Sequence, residues 1–284
     1  MSSAVDLHVL YQIANAPVRD YPFPHILVQD VFPADFYREL RANLPEQGAL
    51  KTLGALGRVK GGDYPARLVM PLTRESIAPL PDAQRAFWER MGNWILAGKF
   101  GEMMLTKFEP WLKQRLGDLN KHAFSDEVLI VRDGTSYALG PHTDARDKVL
   151  SFLFYLPADD SQVELGTSIY LPNEPQFRCE GGPEHDFRKF RRMQTMPYLP
   201  NTLFAFMKTT NSFHGVEPIR GREVRRDVML YDLRLKTPPA IHRSLRHIGS
   251  RWTAQSRRFL AMRNSCCCAA SRSHLIPPIA GRAR

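Results

Sequence analysis

The chain has 284 residues, 43% of them hydrophobic, enough to bury a full core as one large domain or as one domain with an extension. Its formal charge of +10 suggests a nucleic-acid partner at first, but residues 240–284 hold nine arginines and no Lys, Asp or Glu, which leaves the rest at +1. A basic steering surface on the body is therefore not implied, and no specific nucleic-acid partner is expected. Four cysteines, Cys179 and the run Cys266-Cys267-Cys268, give no framework of spaced disulfides, so a reducing, cytoplasmic location fits best. The N-terminus carries no basic flank followed by an apolar core, and no apolar run reaches about 18 residues, so neither a secretory signal nor a membrane span is expected.

In chain order, residues 22–32 read as a short strand. Pro33-Ala34-Asp35 then opens a helix, with proline in the first turn and apolar residues spaced by three to four. His25, between a proline and an apolar strand, reads as a structural histidine rather than a ligand. A second helical region is predicted over about 82–116, where Phe87, Trp88, Met91, Trp94, Ile95 and Phe100 form an interrupted apolar stripe suited to covering a sheet.

From about residue 125 the texture changes to short strands separated by Gly, Pro and Asp, near 127–132, 149–157, 166–171, 203–207, 214–219 and 228–233. Regularly punctuated strands after a helical lead suggest a mainly β fold with flanking helices, a double-stranded β-helix of the jelly-roll, cupin-like kind. The expected organisation is a support region at 1–124, a catalytic core at 125–237 and a basic, poorly ordered tail at 238–284. In the strand at 149–156, Leu150, Phe152, Phe154 and Leu156 share one face. Val149, Ser151, Leu153 and Tyr155 make the other, more mixed face, as a pocket wall should be. The long connection at 172–200, with Cys179, His185 and a basic cluster, reads equally well as a substrate-contacting lid or a solvated loop. Cys179 and His185 alone are weak evidence for a metal site.

The chemistry is concentrated in Gly140-Pro141-His142-Thr143-Asp144 and, further on, Asn211-Ser212-Phe213-His214-Gly215. Two imidazoles and one carboxylate are the ligand set that holds non-haem Fe(II) on one side and leaves positions open on the other. Side chains two apart share a strand face, so His142 and Asp144 can reach one ion, with His214 arriving from a distant strand. After His214 comes Arg225-Arg226-Asp227. An arginine there offers a planar fork for the far carboxylate of a dicarboxylic cosubstrate.

This ordered set resembles the Fe(II)/2-oxoglutarate-dependent dioxygenases, most closely their prolyl-4-hydroxylase-like branch, over roughly residues 125–235. The resemblance implies Fe(II) on His142, Asp144 and His214, 2-oxoglutarate as cosubstrate, ascorbate as a candidate reductant, and a hydroxylated product with release of succinate and CO2. It also implies that Tyr155 hydrogen-bonds the carboxylate held by the arginine. Spacing favours Arg225 over Arg226 as that arginine, although Asp227 would then sit two residues on and repel a carboxylate. Asp144 disfavours a halogenase, whose carboxylate ligand is replaced by a small residue. Small-molecule, glycan and peptide substrates all stay open. A metal-dependent hydrolase or isomerase on a cupin-like scaffold and a non-catalytic metal- or ligand-binding protein are the alternatives.

Overall fold

The computed structural model describes residues 3–236 apart from 61, 97 and 222. The basic tail expected at 238–284 lies outside the described residues. The lead segment contains α1 (Ser3–Asn15), β1 (His25–Val28), α2 (Ala34–Ala42), β2 (Lys51–Thr52), β3 (Arg67–Pro71) and α3 (Arg74–Ile77). The helical stretch at 82–116 is three helices, α4 (Asp82–Ile95), α5 (Lys99–Lys107) and α6 (Glu109–Leu116). Its breaks are legible: Gly98 takes φ +85°, open to glycine without strain, and Pro110 stands at the start of α6.

The remaining strands are β4 (Phe124–Gly134), β5 (Leu139–His142), β6 (Lys148–Tyr155), β7 (Ser168–Pro172), β8 (Phe190–Thr195), β9 (Thr202–Met207), β10 (His214–Val216) and β11 (Arg225–Leu235). They form a seven-stranded sheet in the order β1-β9-β6-β11-β4-β3-β2 and a four-stranded sheet in the order β5-β10-β7-β8. Every named pairing is antiparallel. From β4 onward the chain passes back and forth between the sheets, with β4, β6, β9 and β11 in the large one and β5, the hairpin β7-β8 and β10 in the small one. That winding is a double-stranded β-helix.

The large sheet is buried on both faces, which is why its strands are apolar almost throughout. Leu150, Phe152 and Phe154 of β6 join a core shared with α4, α5 and α6. At its centre Phe100 of α5 meets Phe152 edge-on at 5.7 Å and Tyr231 at 5.0 Å. The opposite face of β6 turns Ser151 and Leu153 toward the small sheet and the cavity between the sheets. Three strands lack a clear sequence signal. β2 is two residues long, β5 contains Gly140 and Pro141, and β8 is a polar edge strand whose middle residues are exposed.

Phe100 is buried where helix and sheet meet, so Phe100→Ala leaves a cavity between α5 and the large sheet. Loss of about 3–5 kcal/mol is expected in reversible denaturant unfolding, against well under 1 kcal/mol for Leu7→Ala on the exposed side of α1.

Candidate metal centre

β5 and β10 are neighbours, and their register sets His214 directly across from His142. The ring centroids are 4.3 Å apart. β5 ends at His142, so Asp144 sits just beyond the strand rather than on it, yet its carboxylate still meets both imidazoles. Asp144 Oδ1 is 4.0 Å from His142 Nε2 and 3.9 Å from His214 Nε2. All three residues offer a ligand atom within 4.8 Å of the others. Ligand atoms about 2.1 Å from one divalent ion can be at most about 4.2 Å apart, so a slight inward rotation of the imidazoles completes the set. Glycine makes the strand approach possible: a Cβ on Gly215 would stand 2.4 Å from Leu139 O.

Hydrogen bonds fix which ring nitrogens face the site. His142 Nδ1 donates to Gly140 O at 3.0 Å and His214 Nδ1 donates to Ser212 O at 2.9 Å. A carbonyl oxygen only accepts, so Nδ1 carries the proton in each ring and Nε2 presents its lone pair to the ion. Burial, reinforced by His214, lowers His142 to about 3, and burial lowers His214 as well. Both rings are therefore neutral ligands near pH 7. Burial alone would raise Asp144, but the neighbouring Lys148 ammonium outweighs it and holds the carboxyl below the usual range. Ser151 Oγ donates to Asp144 Oδ2 at 2.8 Å. Two neutral imidazoles, one carboxylate and oriented partners fit a divalent transition metal.

The triad opens into a cavity of about 120 Å³ between the sheets, room for a few water-sized groups. Its wall includes Arg226 and not Arg225. The Arg225 side chain is half exposed, bonds Asp227 Oδ2 at 2.5 Å and lies on the other face of β11. Arg226 is buried and lines the cavity with the triad. The cause is parity. The register pairs Val228 with Tyr155 and Leu230 with Leu153, so even-numbered residues of β11 face inward. Asp227, which seemed to threaten a bound carboxylate, faces away and is held by Arg132 at 2.8 Å.

Arg226 is aimed by three contacts: Nε to Leu165 O at 2.5 Å, Nη1 to Asp133 Oδ2 at 2.7 Å and Nη2 to Thr167 Oγ1 at 3.2 Å. These use three of the five N–H groups of a guanidinium and leave one donor on each Nη. Tyr155 stands beside it, with Arg226 Cζ 5.8 Å from the ring centroid. The Tyr155 hydroxyl accepts from Thr167 N at 3.0 Å.

Sequence reasoning missed three charged residues of this wall. Arg67, from β3, binds the buried Asp133 through two hydrogen bonds of 2.6 and 2.9 Å. Lys148 reaches Asp144 Oδ1 at 3.1 Å and Asp232 Oδ2 at 2.9 Å. The inward parity of β11 could have flagged Asp232, whereas nothing local announces Lys148 as its partner. His25, read as structural, bonds Phe23 O through Nδ1 at 2.8 Å, away from the triad. The 172–200 connection is tied to both ligand segments. His185 N donates to Pro141 O, Cys179 N to Thr210 O, and Thr143 Oγ1 to Cys179 O.

No family model and no curated protein matches the chain. Solved structures similar to it include a Pseudomonas putida prolyl-4-hydroxylase, 15% identical, covering 80% of this chain and 97% of that one with a TM-score of 0.44. A Trichoplax adhaerens prolyl hydroxylase in complex with a hypoxia-inducible-factor peptide fragment is 13% identical, covering 80% and 88%, with a TM-score of 0.42. HygX from Streptomyces hygroscopicus with nickel and 2-oxoglutarate bound is 14% identical, covering 74% and 82%, with a TM-score of 0.40. Likenesses this distant leave the chemistry to be argued from the side chains.

Two substitutions test the centre. Replacing His142, Asp144 or His214 by Ala removes a third of the protein ligands, so Co(II) or Fe(II) affinity measured by anaerobic titration should fall by at least about a hundredfold. Gly215→Ala should also weaken metal binding while keeping all three ligands, because the new Cβ forces β10 away from β5. Metal affinity equal to the parent in Gly215→Ala would show that the strand approach does not set the site.

Proposed function

We propose that this chain is an Fe(II)- and 2-oxoglutarate-dependent dioxygenase that hydroxylates a small-molecule, glycan or peptide substrate. The observation that carries the reading is a neutral-neutral-anionic triad sharing one small cavity with a buried guanidinium that keeps free donors. Iron(II) with 2-oxoglutarate would supply the oxidising chemistry, oxygen-dependent decarboxylation to succinate and CO2 coupled to hydroxylation of a C–H bond.

In this reading His142, Asp144 and His214 hold the metal through one face and leave the cavity side to cosubstrate and oxygen. Arg226 takes the far carboxylate of 2-oxoglutarate with its remaining Nη donors. The Tyr155 hydroxyl accepts from Thr167 N, so its own proton is left for a carboxylate oxygen. Asp133 is shared by Arg67 and Arg226, so the arginine end of the cavity keeps one net positive charge. That surplus suits an anion, since two guanidiniums facing one carboxylate are not neutralised within the protein. The apolar walls at Leu139, Leu153 and Phe206 limit water around the reacting groups.

The deciding experiment is succinate formation with Fe(II) over a range of 2-oxoglutarate concentrations. Loss of a charge-assisted bidentate contact is worth on the order of 2–4 kcal/mol, so Arg226→Ala should raise the 2-oxoglutarate KM about thirty- to a thousandfold. Arg225→Ala should leave it within about threefold. Tyr155→Phe should cost about 0.5–1.5 kcal/mol, the value of one neutral hydrogen bond. A melting curve accompanies each variant, because Arg226→Ala also removes a partner of the buried Asp133. Wild-type protein that binds Fe(II) but never forms succinate, with or without candidate substrates, would turn the assignment toward a metal-dependent hydrolase.

A further inference from the structure

Asp144 is the one anionic member of the triad, and both of its oxygens are already engaged. Ser151 donates to Oδ2 at 2.8 Å, and Lys148 donates to Oδ1 at 3.1 Å. Oδ1 is also the oxygen that faces both imidazoles. A carboxylate oxygen has two lone-pair directions. With Lys148 on one, Oδ1 keeps the other for an ion, while Oδ2 is turned to Ser151. Lys148 in turn is anchored by Asp232 Oδ2 at 2.9 Å, and both side chains line the same cavity. Little of this pair meets solvent, with side-chain exposures of 16% for Lys148 and 7% for Asp232.

Resting on the triad reading, we propose that Lys148, set by Asp232, is a positioning residue of the metal centre: its ammonium shares Asp144 Oδ1 with the ion and so weakens the site's hold on its metal. The ammonium stands one carboxylate oxygen away from the ion, where two cations share an anion in a dry cavity and repel. Asp232 offsets part of the repulsion, and it keeps the ammonium in place by giving it a second acceptor.

The pair makes opposite-signed predictions, which a merely structural role does not. Lys148→Met and Lys148→Gln remove the cation, the second with a hydrogen-bonding group kept. Both should raise Co(II) affinity in anaerobic calorimetric titration by about ten- to a hundredfold, the size typical of groups that partner metal ligands. Asp232→Asn keeps the cation and removes the nearby anion, so affinity should fall by about tenfold. Metal-induced stabilisation in thermal melts should be larger than wild type in the lysine variants, because their metal-free forms leave Asp144 with Ser151 and Asp232 with Arg234 but no cation between the two carboxylates.

If Lys148→Met does not fold, Lys148→Gln and Asp232→Asn decide. Unchanged or lower affinity in Lys148→Gln, or higher affinity in Asp232→Asn, overturns the proposal. The underlying triad reading fails separately: wild-type protein that binds Co(II) no better than His142→Ala would remove the metal centre itself.

Discussion

The pairing of β5 with β10 is the constraint on which the site depends. It places His142 and His214 opposite each other, and only because Gly215 lets the strands approach. The alternating winding brings these two strands together although 71 residues separate the histidines in sequence. The two imidazoles lie across one strand-to-strand spacing, so their geometry is set by backbone hydrogen bonds rather than by loop conformation. Asp144 then needs only the short turn after β5. The Nδ1–carbonyl bonds complete the arrangement by making both lone pairs converge.

Charge in the cavity is organised as two separate ends. At one, Arg67 and Arg226 flank Asp133 and leave a net positive charge. At the other, Asp144, Lys148 and Asp232 leave a net negative charge that a divalent cation would reverse. Each buried ion has a partner, as it must, since an isolated buried charge is expensive. The two ends are thus complementary to a small ligand with an anionic group at each end, one meeting metal and the other guanidinium. Between them the wall is apolar, at Leu153, Leu230 and Val216.

The triad was legible because ligand types and their His-x-Asp spacing are local, and the strand-rich texture after residue 125 announced the fold. The helices were legible as a region but not as three elements, although Gly98 and Pro110 mark the breaks. Which of Arg225 and Arg226 lines the cavity is not legible in the sequence, for a physical reason. β11 is buried on both faces, so apolar residues run continuously through 228–231 and carry no alternation to fix parity. The register against β6 settles it, and register is a property of two strands at once. Lys148 and Asp232 escaped notice for the same reason, as a pair 84 residues apart with no local signature. β3, and with it Arg67, has no local signal that marks it as cavity wall, because it joins the large sheet only through its pairing with β4.

The connection at 172–200 is best understood as a clamp on the ligand segments. Its backbone bonds Pro141 on one side and Thr210 on the other, and Gly181, at φ +120°, passes so close to Asp144 O that a Cβ would stand 2.5 Å away. Glu184 adds a bond to Gly140 N. Lifting this segment would break several hydrogen bonds to the residues that flank His142, Asp144 and His214, so opening here works against the metal geometry that the β5–β10 pairing sets. The wall members that keep some contact with solvent are Arg67, Leu139, His142, Lys148, Leu153 and Leu230. Access to the cavity therefore runs past an apolar rim of Leu139, Leu153 and Leu230, with a cation at either end, Arg67 beside the guanidinium pair and Lys148 beside the carboxylate of the centre.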